Sequence, residues 1–271
     1  MIPGNSVTEH IRFILQQSKA SVLITHNEKQ LSKIKSLKNE LPELKTVILL
    51  EGNSSEEWVI NFEEFVKSGK EAQTEFEIGM NELATIMYTS GTTGEPKGIM
   101  FSQMNIVYKR FCRAMAIPEI GEEDRFIAFL PLYHTFGRYL EMTGCVFWAA
   151  EYCFLENPSV EAMISNMQLV KPTVFISIPK KWMQLYEYIT SKVDIEVDEH
   201  PKIKNELDKA TGGNLKWGLS AAGYLPPDIF QFFQKYGVEL MSGFGMTEAT
   251  GGITMTPWKR YKPNSLGKPL P

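Results

Sequence analysis

Leu83 to Gly98 reads LATIMYTSGTTGEPKG, and the architecture expected of the chain is built outward from it. Leu83–Tyr88 is a short apolar run that suits a buried strand, and Ser102 opens an amphipathic run with Ile106, Tyr108, Phe111 and Met115. The expected context is therefore strand, loop, helix, where anions commonly bind. Glycines at 91, 94 and 98 permit backbone angles closed to other residues, so successive N–H groups can face anionic oxygens. Thr89, Ser90, Thr92 and Thr93 add hydroxyl donors, Lys97 adds a mobile positive charge that can follow a phosphate, and Pro96 limits the slack before it. A polar surface loop after a strand is the plainer reading of such a composition. A Walker A loop needs its lysine directly after the last glycine, but here Glu95 and Pro96 separate Gly94 from Lys97. The loop thus points to a nucleotide user outside the P-loop ATPases and GTPases.

On either side of this stretch, strand-like runs alternate with helical periodicity. Ser6 to Glu9 has the spacing of a capping box, with Ile11, Ile14 and Leu15 as the apolar face of a first helix. Ser21–Thr25 and Thr46–Leu50 read as strands around a charged helix over Glu28–Asn39. Glu51–Gly79 reads as a polar connection with a short helix near Phe62–Val66. Further strands are expected at Arg125–Leu130, Tyr152–Leu155, Thr173–Ile178, Lys216–Ser220 and Val238–Met241. Helices lie between them: Ser159 precedes Met163, Ile164 and Met167, and Pro227 precedes Ile229, Phe232 and Phe233. Asp194–Pro201 reads as an exposed insertion. This alternation implies an α/β fold, mainly parallel sheets with flanking helices, and such sheets collect their binding loops at the carboxyl ends of strands.

Composition bounds the rest. With 271 residues and 43% hydrophobic content the chain can bury a substantial core, as one large domain or two small ones. A net charge of −4 suggests no nucleic-acid partner, and the lysines of Lys29–Lys38 alternate with apolar residues as on a solvated helix face. Cys112, Cys145 and Cys153 lie in apolar segments without metal-ligand spacing, which suits buried, reduced thiols of a cytoplasmic protein. His10, His26, His134 and His200 are scattered and imply no zinc site. The N-terminus has no charged-then-apolar signal, and Met142–Ala150, the most apolar region, is far shorter than the roughly 20 residues of a membrane helix. Peripheral contact with a membrane stays open; oligomeric state is not readable.

Five motifs together resemble the adenylate-forming superfamily of acyl-CoA synthetases, peptide-synthetase adenylation domains and luciferases. Beside Tyr88–Gly98, Phe129–Gly137 (FLPLYHTFG) looks like the family's second core motif, and Ser220–Pro227 (SAAGYLPP) looks like its adenine-side loop, usually richer in glycine. Ser242–Glu248 (SGFGMTE) is similar to YGxTE with Phe244 in place of tyrosine, and Ser265–Pro269 (SLGKP) resembles the SxGxP segment. The resemblance implies the central part of the family's large N-terminal domain: an N-terminal α/β segment over 1–78 and an AMP-binding core over 79–271. It also implies truncation at both ends, with the small C-terminal domain and its lysine absent.

The chemistry implied is attack of a carboxylate on the α-phosphorus of ATP, giving an acyl adenylate and pyrophosphate, then a thioester with CoA in the complete enzyme. Catalysis of this kind is mostly positioning and charge neutralisation. By resemblance, Thr89, Ser90, Gly91, Thr92, Thr93, Gly94 and Lys97 hold the β and γ phosphates. Ala222, Gly223, Ser242, Gly243, Gly245 and Met246 line the nucleotide, with Phe244 flat against the adenine. Gly243 and Gly245 would let the backbone approach the nucleotide, Thr247 would bond the α-phosphate, and Glu248 would hold Mg²⁺, which Thr89 shares in some relatives. His134 would orient the carboxylate or brace its loop, and Tyr139, Met142, Cys145, Val146 and Trp148 either border the acyl pocket or pack on the sheet. Met100–Asn105, Pro131–Arg138 and Ile178–Trp182 look most like long-chain fatty acid–CoA ligases; where an amino-acid enzyme would hold an aspartate, this chain offers Glu141. Two alternatives stand beside the fatty acid ligase: a noncatalytic nucleotide-binding module, and a ligase loading a carrier protein.

Overall fold

A computed structural model describes residues 1–69, 76–89, 94–117, 119–155, 157–262 and 264–271. The chain divides into two compact units, Met1–Gln103 and Met104–Pro271.

In the first unit, α1 (Thr8–Ser18), α2 (Glu28–Lys35) and α3 (Phe62–Ser68) accompany a parallel sheet of β1 (Val22–Thr25), β2 (Thr46–Leu49) and β3 (Val59–Asn61) in that order. Ile11 and Leu15 of α1, Leu31 and Ile34 of α2, and Val47 and Leu49 of β2 form its core. The capping box expected at Ser6–Glu9 does not form: α1 begins after Val7 with no side-chain cap. The charged helix is shorter than its pattern, ending at Lys35 before a 3₁₀ turn over Lys38–Glu40. Its start is fixed by Asn27, whose side chain accepts from the Gln30 N–H at 3.2 Å. β3 falls in the stretch read as a connection; three residues are too few to show a period.

β4 (Leu83–Thr89) and β5 (Lys97–Ser102) form an antiparallel pair that runs from Leu83↔Ser102 to Thr89↔Lys97. The expected strand, loop, helix is thus corrected by one element: a second strand pairs with β4 before the helix, which opens at Gln103 as Ser102 suggests, so no helix N-terminus stands between β4 and β5. Nor is β4 a fully buried strand, since only Met87 is sealed from solvent. A continuous apolar run cannot by itself separate a buried strand from one face of a ribbon.

The second unit starts with α4 (Gln103–Ala116), which follows β5 without a break. Its strands are β6 (Arg125–Ala128), β7 (Glu151–Phe154), β8 (Val174–Ser177), β9 (Trp217–Ser220), β10 (Glu239–Met246), β11 (Gly251–Met255) and β12 (Lys268–Pro269). Its remaining helices are α5 (Thr143–Trp148), α6 (Val160–Val170), α7 (Pro179–Thr190), α8 (His200–Thr211) and α9 (Pro227–Lys235). They build a seven-stranded sheet in the order β12-β11-β10-β9-β8-β6-β7, parallel from β7 through β10, with β11 and β12 antiparallel. Strand alternation loads both faces. In β8, Phe175 joins a cluster with Met163, Trp182 and Phe233 from α6, α7 and α9, while Val174 and Ile176 join Ile117, Leu140 and Trp148 on the other face. Gly218 is required by this packing, because a Cβ there would lie 2.4 Å from the Trp182 ring. Ser159 caps α6 as its sequence suggests, accepting from the Ala162 N–H at 3.1 Å.

α4 departs most from its pattern. Tyr108, Phe111 and Met115 are 60, 54 and 62% exposed, while Arg110, Cys112 and Arg113 are buried. The inward face is cationic because main-chain carbonyls there accept from the buried guanidinium groups, as described below.

Candidate functional site

The strand order reverses between β6 and β8, and the loops leaving the carboxyl ends of β6, β9 and β10 gather there, as expected of a binding crevice in a parallel sheet. The loop after β6 carries His134. It closes on the π-helix Phe136–Met142, which comes so near that a Cβ on Gly137 would meet the Leu130 and Pro131 carbonyls at 2.7 Å. The Phe136 N–H donates to His134 Nδ1 at 3.3 Å, so the proton of the neutral ring sits on Nε2. Burial pushes the His134 pKa below its ordinary value, which favours that neutral form.

After β9, Ala222 adopts a left-handed conformation at φ 66° and turns the chain beneath β10. β10 does not stop at Met241 but continues through Met246, so most of SGFGMTE is strand rather than loop. It pairs with β11 across an irregularity between Phe244 and Gly245, and bulges of this kind re-aim side chains next to binding sites. Phe244 is 48% exposed, which suits a ring offered to a ligand and not one packed in the core. Gly243 and Gly245 also have a structural reason within the sheet. A Cβ on either would lie 2.6 or 2.5 Å from the Thr254 or Gly251 carbonyl, so β11 approaches both closely.

Two clefts flank this strand and share Ala222, Gly243, Phe244 and Gly245. One, about 540 Å³ including its open mouth, is walled by His134, Phe136, Leu140, Leu219 and Met255 and has Arg113 at its side. The other, about 1040 Å³ and wide open, adds Gly223, Tyr224, Ser242 and Tyr261, whose ring stacks on Phe230 at 4.4 Å. Met246 ends β10, and Thr247 and Glu248 follow on the turn to β11: Thr247 is buried, and Glu248 is exposed in a 3₁₀ turn over Thr247–Ala249. Thr89, Gly94 and Lys97 belong to the first unit, where Lys97 is exposed and Gly94 takes φ 90° as expected; Gly98 sits in β5 without that backbone angle. Ser90, Gly91, Thr92 and Thr93 lie outside the described residues.

A match to the AMP-binding enzyme family covers residues 3–271. The chain belongs to that family. The long-chain-fatty-acid–CoA ligase FadD15 of Mycobacterium bovis is 23% identical, over 98% of this chain and 50% of the relative. The long-chain-fatty-acid–CoA ligase ACSBG1 of Homo sapiens is 25% identical, over 98% and 43%. The crystal structure of the anthranilate CoA ligase AuaEII with anthranoyl-AMP superposes with a TM-score of 0.81 at 22% identity, over 99% of this chain and 49% of that one. A long-chain-fatty-acid-CoA ligase from Archaeoglobus fulgidus gives 0.78 at 21%, over 99% and 51%. At these identities the structural likeness establishes the α/β fold alone. The chain spans about half the length of the curated relatives it matches.

As an AMP-binding enzyme the chain has site features its sequence did not single out. Tyr224 and Tyr261 put aromatic faces in the wider cleft; Tyr224 lay within the SAAGYLPP loop without being given a role, and nothing but its type marked Tyr261. Lys109, Arg110 and Arg113 were hidden by the apolar residues between them, although cations at i, i+1 and i+4 in such a run are the available signal. Conversely, Tyr139, Cys145 and Trp148 are buried in the unit's interior and Val146 is exposed; the π-helix gives the cleft Phe136 and Leu140 instead. Glu141 is fully buried, accepts from the Tyr152 hydroxyl at 3.1 Å, and is pushed up to about 9 by desolvation, so at neutral pH it is an uncharged acid, unsuited to hold a substrate amine. Cys112 and Cys145 are buried as expected and Cys153 is half-buried, all three free. Among the described residues, no cluster of three or more His, Cys, Asp or Glu could cage a metal, and no helix is long and apolar enough to cross a membrane. Glu248 has no ion-pair partner among the described residues. One free, exposed carboxylate fits magnesium, which takes one or two carboxylates and fills its shell with phosphate and water oxygens.

Proposed function

We propose that this chain forms the adenylation site of an ATP-dependent fatty acid–CoA ligase. The observation that carries the reading is the pair of clefts on either side of Phe244, one apolar with a neutral histidine at its edge, the other open and aromatic. The wider cleft suits adenosine: Phe244 and Tyr224 offer rings, and Ala222, Gly223, Ser242, Gly243 and Gly245 offer backbone. The apolar cleft suits the acyl group, with the Nε2–H of His134 donating to the carboxylate. A carboxylate oxygen then attacks the α-phosphorus, the bond to the bridging oxygen breaks, and its electron pair leaves with pyrophosphate. Thr247 bonds the α-phosphate, while Lys97 with Thr89 to Gly94 receives the outer phosphates. Glu248 would hold Mg²⁺, which would supply charge neutralisation on the phosphate oxygens. CoA thiolate displaces AMP in the complete enzyme. The names of the curated relatives support the acid and the acceptor, and the free cysteines support a cytoplasmic setting, with membrane contact peripheral. We assign residues 1–78 to the N-terminal α/β segment and 79–271 to the AMP-binding core on motif content.

The test is pyrophosphate release by the full-length gene product over fatty acids of rising length, beside calorimetric ATP binding. Binding without release for any acid would leave a noncatalytic nucleotide-binding module, and transfer to a carrier-protein thiol in place of CoA would change the acceptor. The 271 residues alone are expected to bind nucleotide with slight turnover, as they span about half of the relatives' length. Lys97→Ala should weaken ATP about tenfold or more, as loss of a charge-assisted bond does, while sparing AMP. Equal losses for both ligands would remove the lysine from the outer phosphates.

A further inference from the structure

α4 turns three cations toward the protein interior, and two of them grip the chain where the turn after β10 passes into β11. Arg113 is 3% exposed and its Nη2 donates to the Thr250 carbonyl at 2.6 Å. One helical turn earlier, Lys109 Nζ donates to the Gly252 carbonyl at 2.9 Å. Between them, Arg110 donates to the Tyr139 carbonyl at 3.0 Å. Among the described residues none of the three forms an ion pair. A buried guanidinium without a carboxylate costs several kcal/mol in desolvation, so its retention calls for a reason beyond packing.

The gripped segment is the turn between β10 and β11. Thr250 and Gly251 are both left-handed, at φ 58° and 100°, and the Thr250 N–H closes on the Thr247 carbonyl at 2.9 Å. The turn lies so close that a Cβ on Gly251 would sit 2.2 Å from Arg113 Nη2. Glu248 projects from this turn with no side-chain hydrogen bond or ion pair among the described residues, so its direction is inherited from the backbone alone. Two adjacent left-handed residues, one of them a threonine, are strained without outside contacts.

We propose that Arg113 is a positioning residue: it holds the end of the Thr247–Thr250 turn against α4, beside the start of β11 that Lys109 holds, and thereby aims Glu248 at the phosphates of magnesium-bound ATP. The inference rests on the nucleotide reading above and adds to it a residue outside the family motifs. Arg113 touches neither phosphate nor metal; it acts through the turn.

The experiment is calorimetric binding of MgATP and of AMP to the 271-residue chain, for wild type, Arg113→Met, Arg113→Lys, Glu248→Gln and the Arg113→Met/Glu248→Gln pair, with thermal unfolding of each. Arg113→Met should weaken MgATP about tenfold, the cost of a lost charged hydrogen bond, and leave AMP within about twofold. Arg113→Lys should recover part of the loss, and the double variant should bind MgATP no more weakly than Glu248→Gln, because both changes act on one contact. A purely structural arginine would lower the unfolding temperature without changing the ratio of the two affinities. An unchanged ratio, or losses that multiply in the double variant, would overturn the proposal; if Arg113→Met does not fold, the ratio for Arg113→Lys decides by the same criterion. Wild type that binds no MgATP would sink the proposed function and this inference together, whereas wild-type binding with an unchanged Arg113→Met ratio sinks the inference alone.

Discussion

At the scale of single residues, Ala222 shows what a departure from a glycine-rich loop costs. Its φ of 66° puts an L side chain in the left-handed region, at a penalty of roughly 1–2 kcal/mol. Ala222→Gly removes that strain but admits a more flexible unfolded chain, which takes back about half of the gain. The expected net effect is a stabilisation of about 0.5–1 kcal/mol, read as a higher urea midpoint at unchanged slope. A lower midpoint would mean that the methyl group packs usefully where it borders both clefts. The loop's poverty in glycine was visible in the sequence; that one of its alanines takes the glycine conformation was not, because φ is set by where β9 and β10 place the loop ends. His134 is a similar case. Its motif marked it, but its neutral form and tautomer follow from the desolvation and the Phe136 N–H that the fold supplies.

At the scale of elements, the hairpin of β10 and β11 depends on missing side chains. Gly245→Ala would drive a Cβ to 2.5 Å from the Gly251 carbonyl, a backbone atom that cannot swing aside. We expect a loss of about 1–3 kcal/mol in stability, as for other overpacked sites, and a larger fractional loss of nucleotide binding than Ala222→Gly causes. A thermal unfolding curve superposing on wild type would show that the pair can separate freely. Most strands and helices were legible from alternation and caps: Ser159 starts its helix as its type suggests. Three features were not. β5 follows the loop as an apolar run continuous with α4, so period alone could not divide them. α4 buries arginines because the carbonyls of Thr250, just before β11, and of the π-helix lie within reach, partners remote in sequence. The last turns of β10 look like a loop because glycines stand where the neighbouring strand comes closest.

At the scale of the whole molecule, a buried acid ties stability to pH. Glu141 is fully buried with a pKa pushed up to about 9 by desolvation, against an ordinary value of 4.5 when unfolded. Between those values the folded state holds a proton the unfolded state has released, so stability falls as pH rises, by at most about 1.4 kcal/mol per pH unit from this group. Glu141→Gln should flatten that slope and leave the variant more stable relative to wild type at pH 8 than at pH 5, measured by denaturant unfolding at both. Parallel pH profiles would show that Glu141 ionises normally. The sequence by itself determined the α/β class, the family and the order of the motif loops, since each rests on residues close along the chain: periodic apolar runs, cap residues, and hydroxyls and glycines packed around one lysine. Tertiary structure alone decided that Phe244 stands between two clefts, that Glu141 is uncharged, and that α4 clasps the turn bearing Glu248. Those properties arise from desolvation and from carbonyls brought to a side chain across more than a hundred residues of chain, as Thr250 is to Arg113, and no local pattern encodes them.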